Sequence, residues 1–353
     1  MGSYRLTKAG LDAVIAEWSG AGGNGVYAPL RYPEGGPYSD ADVVRYGEVA
    51  QAGEIVLDEK TAYSFKEVLL PISQTLFFFT EETVKEADAE VLSRKAREGA
   101  IVFLRSCDLH AVQRLDEIYL RNAFEDHYYR RLRERVKFVV IGCPQPFDSC
   151  FCVDMGTNRS DGYDAALFVR DGDFVVDCRE AAWEEIFERH GEAVPPEDVP
   201  FVEDTPTHVR IPDTLPDDVA ELPLWETYDA RCINCGRCNF VCPTCTCFTM
   251  QDVFYTDNGR VGERRRVWAS CMVDGFTDVA GGGSYRKTNG QRMRFKNLHK
   301  IHDYKKRFGY HMCVGCGRCD DICPEYISFA ESINRLAREA ARETGKEERH
   351  ADA

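Results

Sequence analysis

The chain has 353 residues, of which 44% are hydrophobic, and a formal net charge of −15. That length and apolar share sustain more than one packed core and exclude overall disorder. An acidic balance of this size excludes a chain built to hold a nucleic-acid backbone, which needs net positive surface.

The N-terminus alternates polar and apolar residues where a signal peptide would run continuously apolar. No 18-residue apolar stretch follows, so the reading is a cytoplasmic chain with no membrane span. Sixteen cysteines in a reducing compartment point to metal or cluster ligation ahead of disulfides.

In chain order, apolar runs at residues 75–79, 100–104 and 138–141 read as strands. Charged periodic segments at 81–97 and 109–135 read as helices, the second broken near Asn122. Residues 165–169 and 174–176 read as a hairpin turning at Asp171-Gly172. Seven prolines among acids across 191–223 resist regular structure. The expected fold class is α+β. An N-terminal mixed α/β domain (1–190) leads into a Pro/acid-rich linker (191–224), and then a largely helical dicluster ferredoxin-type domain (225–335). Residues 336–353 form a helical end and a charged, mobile tail.

Cysteine is unevenly placed, with five before residue 225 and eleven between Cys232 and Cys323. RCINCGRCNFVCP supplies Cys232, Cys235, Cys238, Cys242 and Pro243. HMCVGCGRCDDICP repeats the spacing with Cys313, Cys316, Cys319, Cys323 and Pro324. In such runs the first three cysteines wrap one cuboidal cluster and the fourth reaches a neighbouring one. Cluster I is then expected on Cys232, Cys235, Cys238 and Cys323, and cluster II on Cys313, Cys316, Cys319 and Cys242, which makes two [4Fe–4S] clusters. Gly236 and Gly317 occupy equivalent places, where a missing Cβ lets backbone N–H groups approach cluster sulfurs. The competing reading is a zinc-stabilised binding module, but a tetrahedral Cys₄ site does not require the third, fourth and proline positions. Seventy residues separate Cys242 from Cys313, too many for a compact small ferredoxin.

The intervening segment, CTCFTMQDVFYTDNGRVGERRRVWASCMVDGFTDVAGGGSYRKTNGQRMRFKNLHKIHDYKKRFGY, together with both runs closely resembles the dicluster electron-transfer component of the anaerobic sulfite reductase family, over about residues 230–331. The resemblance implies an iron–sulfur electron-transfer subunit. Its implied partners are a sirohaem subunit that reduces sulfite to sulfide and an FAD-bearing, NADH-oxidising subunit, with no catalytic residue in this chain. The alternative is the β subunit of a soluble sulfhydrogenase or another flavin-linked complex, which shares the dicluster domain and the N-terminal pattern.

Cys107, Cys143, Cys150 and Cys152 form a candidate third cluster. The first two follow predicted strands, whose carboxyl ends share an edge if the strands are parallel. RSCDLHAVQRLD and GCPQPFDSCFCVDMGTN also resemble stretches of the sulfhydrogenase family. Cys245, Cys247 and Cys271 read as buried structural thiols. Nine Lys or Arg against one Asp between Gly281 and Tyr310, preceded by Arg264, Arg265 and Arg266, form a basic segment. It either stabilises reduced clusters or steers an acidic partner, or is a solvated helix face. GAGGNG at 20–25 follows a predicted helix, the wrong order for a dinucleotide turn. His110 is too close in sequence to Cys107 to read as its catalytic partner, and His299 and His302 read as surface residues.

Overall fold

The computed structural model describes residues 2–20, 23–36, 40–87, 98–212 and 214–351. They divide into two compact units: residues 1–145, 158–202 and 248–268, and residues 146–157, 203–247 and 269–353.

The first unit runs β1 (Gly2–Leu6), α1 (Lys8–Ser19), β2 (Gly25–Tyr32), β3 (Val43–Glu48), α2 (Lys66–Leu69), β4 (Ser73–Phe79), β5 (Val84–Glu86) and β6 (Ala100–Leu104). It continues through α3 (Ser106–Leu120), α4 (His127–Arg133), β7 (Val136–Ile141), β8 (Ala165–Arg170), β9 (Asp173–Cys178), α5 (Glu184–His190) and β10 (Glu192–Val194). An eight-stranded mixed sheet has the order β10-β1-β9-β8-β7-β6-β2-β3. Its parallel middle pairs β2 with β6, β6 with β7 and β7 with β8. All five residues of β6 are buried, which is why a central parallel strand reads as an unbroken apolar run. The β8–β9 turn places Asp171 and Gly172 at φ 54° and 88°, the two left-handed positions of a tight hairpin. Helix α1 opens on Thr7, whose side chain accepts from Gly10 N, and buries Leu11, Val14, Ile15 and Trp18, one stripe at helical spacing.

The segment predicted as one helix over 81–97 is not helical where it is described. Residues 84–86 are β5, and residues 88–97 lie outside the described residues. The helical segment over 109–135, expected to break near Asn122, is two helices, α3 and α4, parted between Leu120 and His127.

A second sheet orders β11-β12-β4-β5, where β11 (Phe248–Phe254) and β12 (Gly262–Trp268) come from the segment between the two cysteine runs. This hairpin departs from a largely helical, contiguous domain over 225–335, because β12 pairs with β4 and thereby joins the first unit. The pairing also explains the arginine triplet. Arg264 makes a bidentate pair with Asp252 at 2.6 and 2.7 Å, and Arg265 pairs with Glu263. Buried Arg266 donates to Asp126 Oδ2 at 2.6 Å and Gln74 Oε1 at 2.8 Å.

The second unit includes residues 203–224 of the 191–224 stretch expected to be a linker. Leu222, Leu224 and Trp225 are buried in its core with Met272, Ile333 and Leu336, and the backbone N–H groups of Val209 and Arg210 donate to Asp154 and Asn334. Prolines deny this stretch regular ladders, but its apolar residues still gain by burial. Short helices α6 (Thr227–Arg231) and α7 (Arg237–Phe240) precede the strand pair β13 (Asp278–Val279) and β14 (Gly283–Ser284). Helix α8 (Asn289–Leu298) runs through a π-helical turn (His299–Asp303) into α9 (Tyr304–Phe308). Helices α10 (Arg318–Asp321) and α11 (Phe329–Ala351) follow. The tail expected to be mobile continues α11 as far as Ala351. No described helix is long and apolar enough to cross a membrane.

Asp126 also caps α4, accepting from Tyr129 N at 2.8 Å. Arg266→Ala leaves this half-buried carboxylate without its cation. The expected loss is about 2 kcal/mol, measured as a lowered urea midpoint of the far-ultraviolet circular dichroism signal.

Candidate metal centre

The two cysteine runs fold alike. Asn234 and Gly315 have φ of 61° and 63°, and Gly236 and Gly317 have 71° and 70°, so each run carries left-handed residues on both sides of its second cysteine. Gly236 and Gly317 then cap α7 and α10, which carry the third cysteine of each run. The glycine at the second of these positions is required by backbone conformation as well as by space. A Cβ on Gly317 would lie 2.2 Å from Ser149 O, and one on Gly315 would lie 2.5 Å from Phe151 O.

Folding back in this way, the runs line two cavities. Cys232, Cys235, Cys238 and Cys323 line one, with Lys296 and Glu325 in its wall. Cys242, Cys313, Cys316 and Cys319 line the other, with Lys296 and Lys300. Cys238, Cys319, Lys296 and Phe329 line both. The first quartet reaches the surface of its unit through Cys235, which is exposed, whereas Cys316 in the second is buried.

Helix α8 and its π-helical turn bring the two lysines in. Lys296 and Lys300 are 5% and 3% exposed. Burial works against the charge of Lys300, but the thiols of Cys242, Cys245 and Cys313 outweigh it and hold its pKa above the ordinary lysine value. Lys296 is raised in the same way, with burial opposed by Cys238, Cys319, Cys245 and Cys242. Lys300 Nζ donates to Thr244 Oγ1 at 2.6 Å and to Cys242 Sγ at 3.4 Å. Its carbonyl accepts from Met312 N and Cys313 N at 2.9 and 3.2 Å. Desolvation pushes the Cys313 thiol up to about 12 and also raises Cys232, so these thiols release protons when they bind metal. Backbone N–H groups already point at sulfur, Gly315 N to Cys313 Sγ at 3.4 Å and Ile327 N to Cys323 Sγ at 3.3 Å.

Five cysteines lining each cavity, two of them shared, backbone donors at sulfur and two buried cations suit anionic, thiolate-ligated iron–sulfur clusters. A single tetrahedral zinc needs its ligands drawn to one point, about 2.3 Å from each sulfur. Among the described residues, no three His, Cys, Asp or Glu side chains are grouped to hold one ion.

The remaining cysteines divide. Cys107 lies in the first turn of α3 and Cys143 just past β7, at the carboxyl ends of adjacent parallel strands in the first unit. Cys150 and Cys152 are buried in the second unit. Cys245 and Cys271 are buried and Cys247 half-buried. Cys245 is held well above the thiol range by its hydrogen bond with Cys242 and by burial. Cys271 is raised by Cys247 and by burial, and accepts from Asn239 Nδ2 at 3.0 Å. His110 is held by Gln113 and the Arg159 carbonyl. His299 and His302 are half-buried, contrary to the surface placement expected of them, and His299 stacks on Phe295 at 5.3 Å. The sequence reading missed Lys296 and Lys300 as individuals. Their signal was the local basic excess, which says nothing about which side chains turn inward.

A family model for the 4Fe-4S dicluster domain matches residues 231–327. The chain is an iron–sulfur electron-transfer protein, and its cofactors are two [4Fe–4S] clusters. Sulfhydrogenase 2 subunit beta of Pyrococcus furiosus is 30% identical over 319 residues, covering 85% of this chain and 91% of that protein. No solved structure matches. The chain belongs to the sulfhydrogenase β-subunit family.

Gly317→Ala meets backbone and Gly236→Ala meets chiefly the Val273 and Ser270 side chains. The first is therefore expected to lower iron from about eight to about four per chain, and the second to lower it less. Iron and acid-labile sulfide counts after anaerobic purification check the order.

Proposed function

We propose that this chain is an electron relay, with Cys232, Cys235, Cys238 and Cys323 holding one [4Fe–4S] cluster and Cys242, Cys313, Cys316 and Cys319 the other. The observation that carries this reading is the pair of thiol-lined cavities sharing one wall. When bound, each cluster accepts and returns a single electron. The chain's part is to hold the thiolates, bury Cys316 of the second quartet and offset negative charge. The first quartet is the surface-facing end of the relay, since Cys235 is exposed and Ile233 and Tyr326 nearby in sequence are 57% and 88% exposed.

The similarity to the sulfhydrogenase β subunit runs over 85% of the chain, whereas the resemblance to the electron-transfer component of sulfite reductase rests on about residues 230–331. The longer similarity favours a cytoplasmic, flavin-linked complex of the sulfhydrogenase type. The insert favours a second reading, in which the same relay passes electrons from an FAD-bearing, NADH-oxidising subunit to a sirohaem subunit that reduces sulfite. The visible spectrum of the complex captured anaerobically through this chain separates them. Flavin without sirohaem is expected for the first, both bands for the second, and neither band would overturn both.

Cys235→Ser and Cys316→Ser are each expected to remove or convert one cluster and to interrupt electron flow. Unchanged iron and unchanged electron paramagnetic resonance spectra in both would refute the ligand sets. A third cluster on Cys107, Cys143, Cys150 and Cys152 is a separate proposal. About twelve irons per chain would support it and about eight would exclude it.

A further inference from the structure

Lys296 and Lys300 lie one helical turn apart in sequence, on α8 and the π-helical turn that follows it. π-Turns inside helices frequently mark functional sites. Both side chains are almost fully buried, where an ammonium without counter-charge is costly. Their places in the walls differ. The first cavity has Lys296 as its lysine and Glu325 as its carboxylate. The second has Lys296 and Lys300, and the Asp320 carboxylate beside it accepts from Cys319 Sγ at 3.4 Å. Lys296 therefore faces both cavities and Lys300 the second alone. Lys300 also touches two members of the second quartet, Cys242 through its ammonium and Cys313 through its carbonyl.

Resting on the cluster assignment proposed above, we infer that Lys296 and Lys300 set the reduction potentials of the relay, Lys296 acting on both clusters and Lys300 on the second alone. Reduction adds one negative charge to a cluster, and a fixed positive charge in a low-dielectric wall favours the reduced form. Polarity, burial and hydrogen bonds to sulfur are the protein's means of tuning such clusters. The lysines therefore act through the cluster ligands, as potential-setting residues that bind no substrate.

The test is a redox titration of the full chain, purified anaerobically and followed by electron paramagnetic resonance, with iron counted in every sample. Lys296→Met is expected to lower both midpoints. Lys300→Met is expected to lower one midpoint and leave the other in place. Each affected cluster should show at least a tenfold fall in the reduced-to-oxidised ratio at fixed potential, about 59 mV for a one-electron couple. Lys296→Arg and Lys300→Arg keep the charge and are expected to restore the midpoints. Iron-replete methionine variants with unmoved midpoints would overturn the inference, as would Lys300→Met lowering both midpoints equally. If a methionine variant loses iron, the glutamine and arginine variants of that position decide: a lower midpoint in glutamine alone supports the inference, and equal midpoints overturn it. Wild-type chain without two one-electron clusters would instead refute the underlying assignment.

Discussion

The constraint on which the second unit depends is that two cysteine runs far apart in sequence line the same pair of cavities. Each cavity draws three cysteines from one run and two from the other, so the long segment between the runs must return the chain to its starting point. The contacts that make it return are local and specific. Asn289 at the start of α8 donates to the Cys232 carbonyl at 2.5 Å, and Gly290 N donates to Asp229 at 2.6 Å. In the π-helical turn that follows α8, the Lys300 carbonyl accepts the N–H groups that lead into the second run. One helix thus spaces both runs, and its buried residues Met293 and Ile301 belong to the same core as Trp225, Tyr228 and Phe329.

That arrangement fixes where charge is tolerated. An interior lined by thiolates is a poor place for further anions and a favourable one for ammonium groups, because opposite charges offset part of each other's desolvation. The carboxylate of Asp320, next to Cys319, is accordingly consumed by donors: Ser328 Oγ at 2.7 Å and the Phe329 N–H at 2.7 Å, at the start of α11. The basic segment that looked like one feature in sequence splits into different tasks. Arg292 pairs with Asp274, Arg286 stacks over Phe295, Arg294 donates to the Ala220 carbonyl, and Lys296 and Lys300 turn inward.

Legibility in the sequence followed the range of the interactions. The cysteine runs were plain because their spacing is itself the chemistry, and strands such as β6 and β8 were plain because their burial leaves unbroken apolar runs. The hairpin of β11 and β12 was not, because what makes it a sheet is pairing with β4, a strand far away in sequence. The exposed pattern of β11 carries no alternation for a local reading to find. Residues 203–224 misled for the opposite reason. Their prolines are a strong local signal against helix and strand, but they say nothing of whether Leu222 and Leu224 find a core. Left-handed Asn234 was equally silent, since Asn is common in loops whatever their φ.

The segment PFDSCFC shows why a cysteine-rich motif need not announce a metal. In the second unit, Phe151 N donates to the Gly315 carbonyl at 2.8 Å, Thr157 Oγ1 donates to the Val314 carbonyl at 2.7 Å, and the Cys150 thiol donates to the Cys316 carbonyl at 3.8 Å. Three successive carbonyls of the second cysteine run are therefore held by this one stretch. The close fit of Gly315 and Gly317 against Phe151 and Ser149 comes from the same contact. Small, buried residues that donate to backbone suit this task, and cysteine is among the most buried of residue types. Holding the loop of the second quartet in its left-handed turns is sufficient reason for Cys150 and its neighbours to stand where they do, whatever else their sulfurs bind.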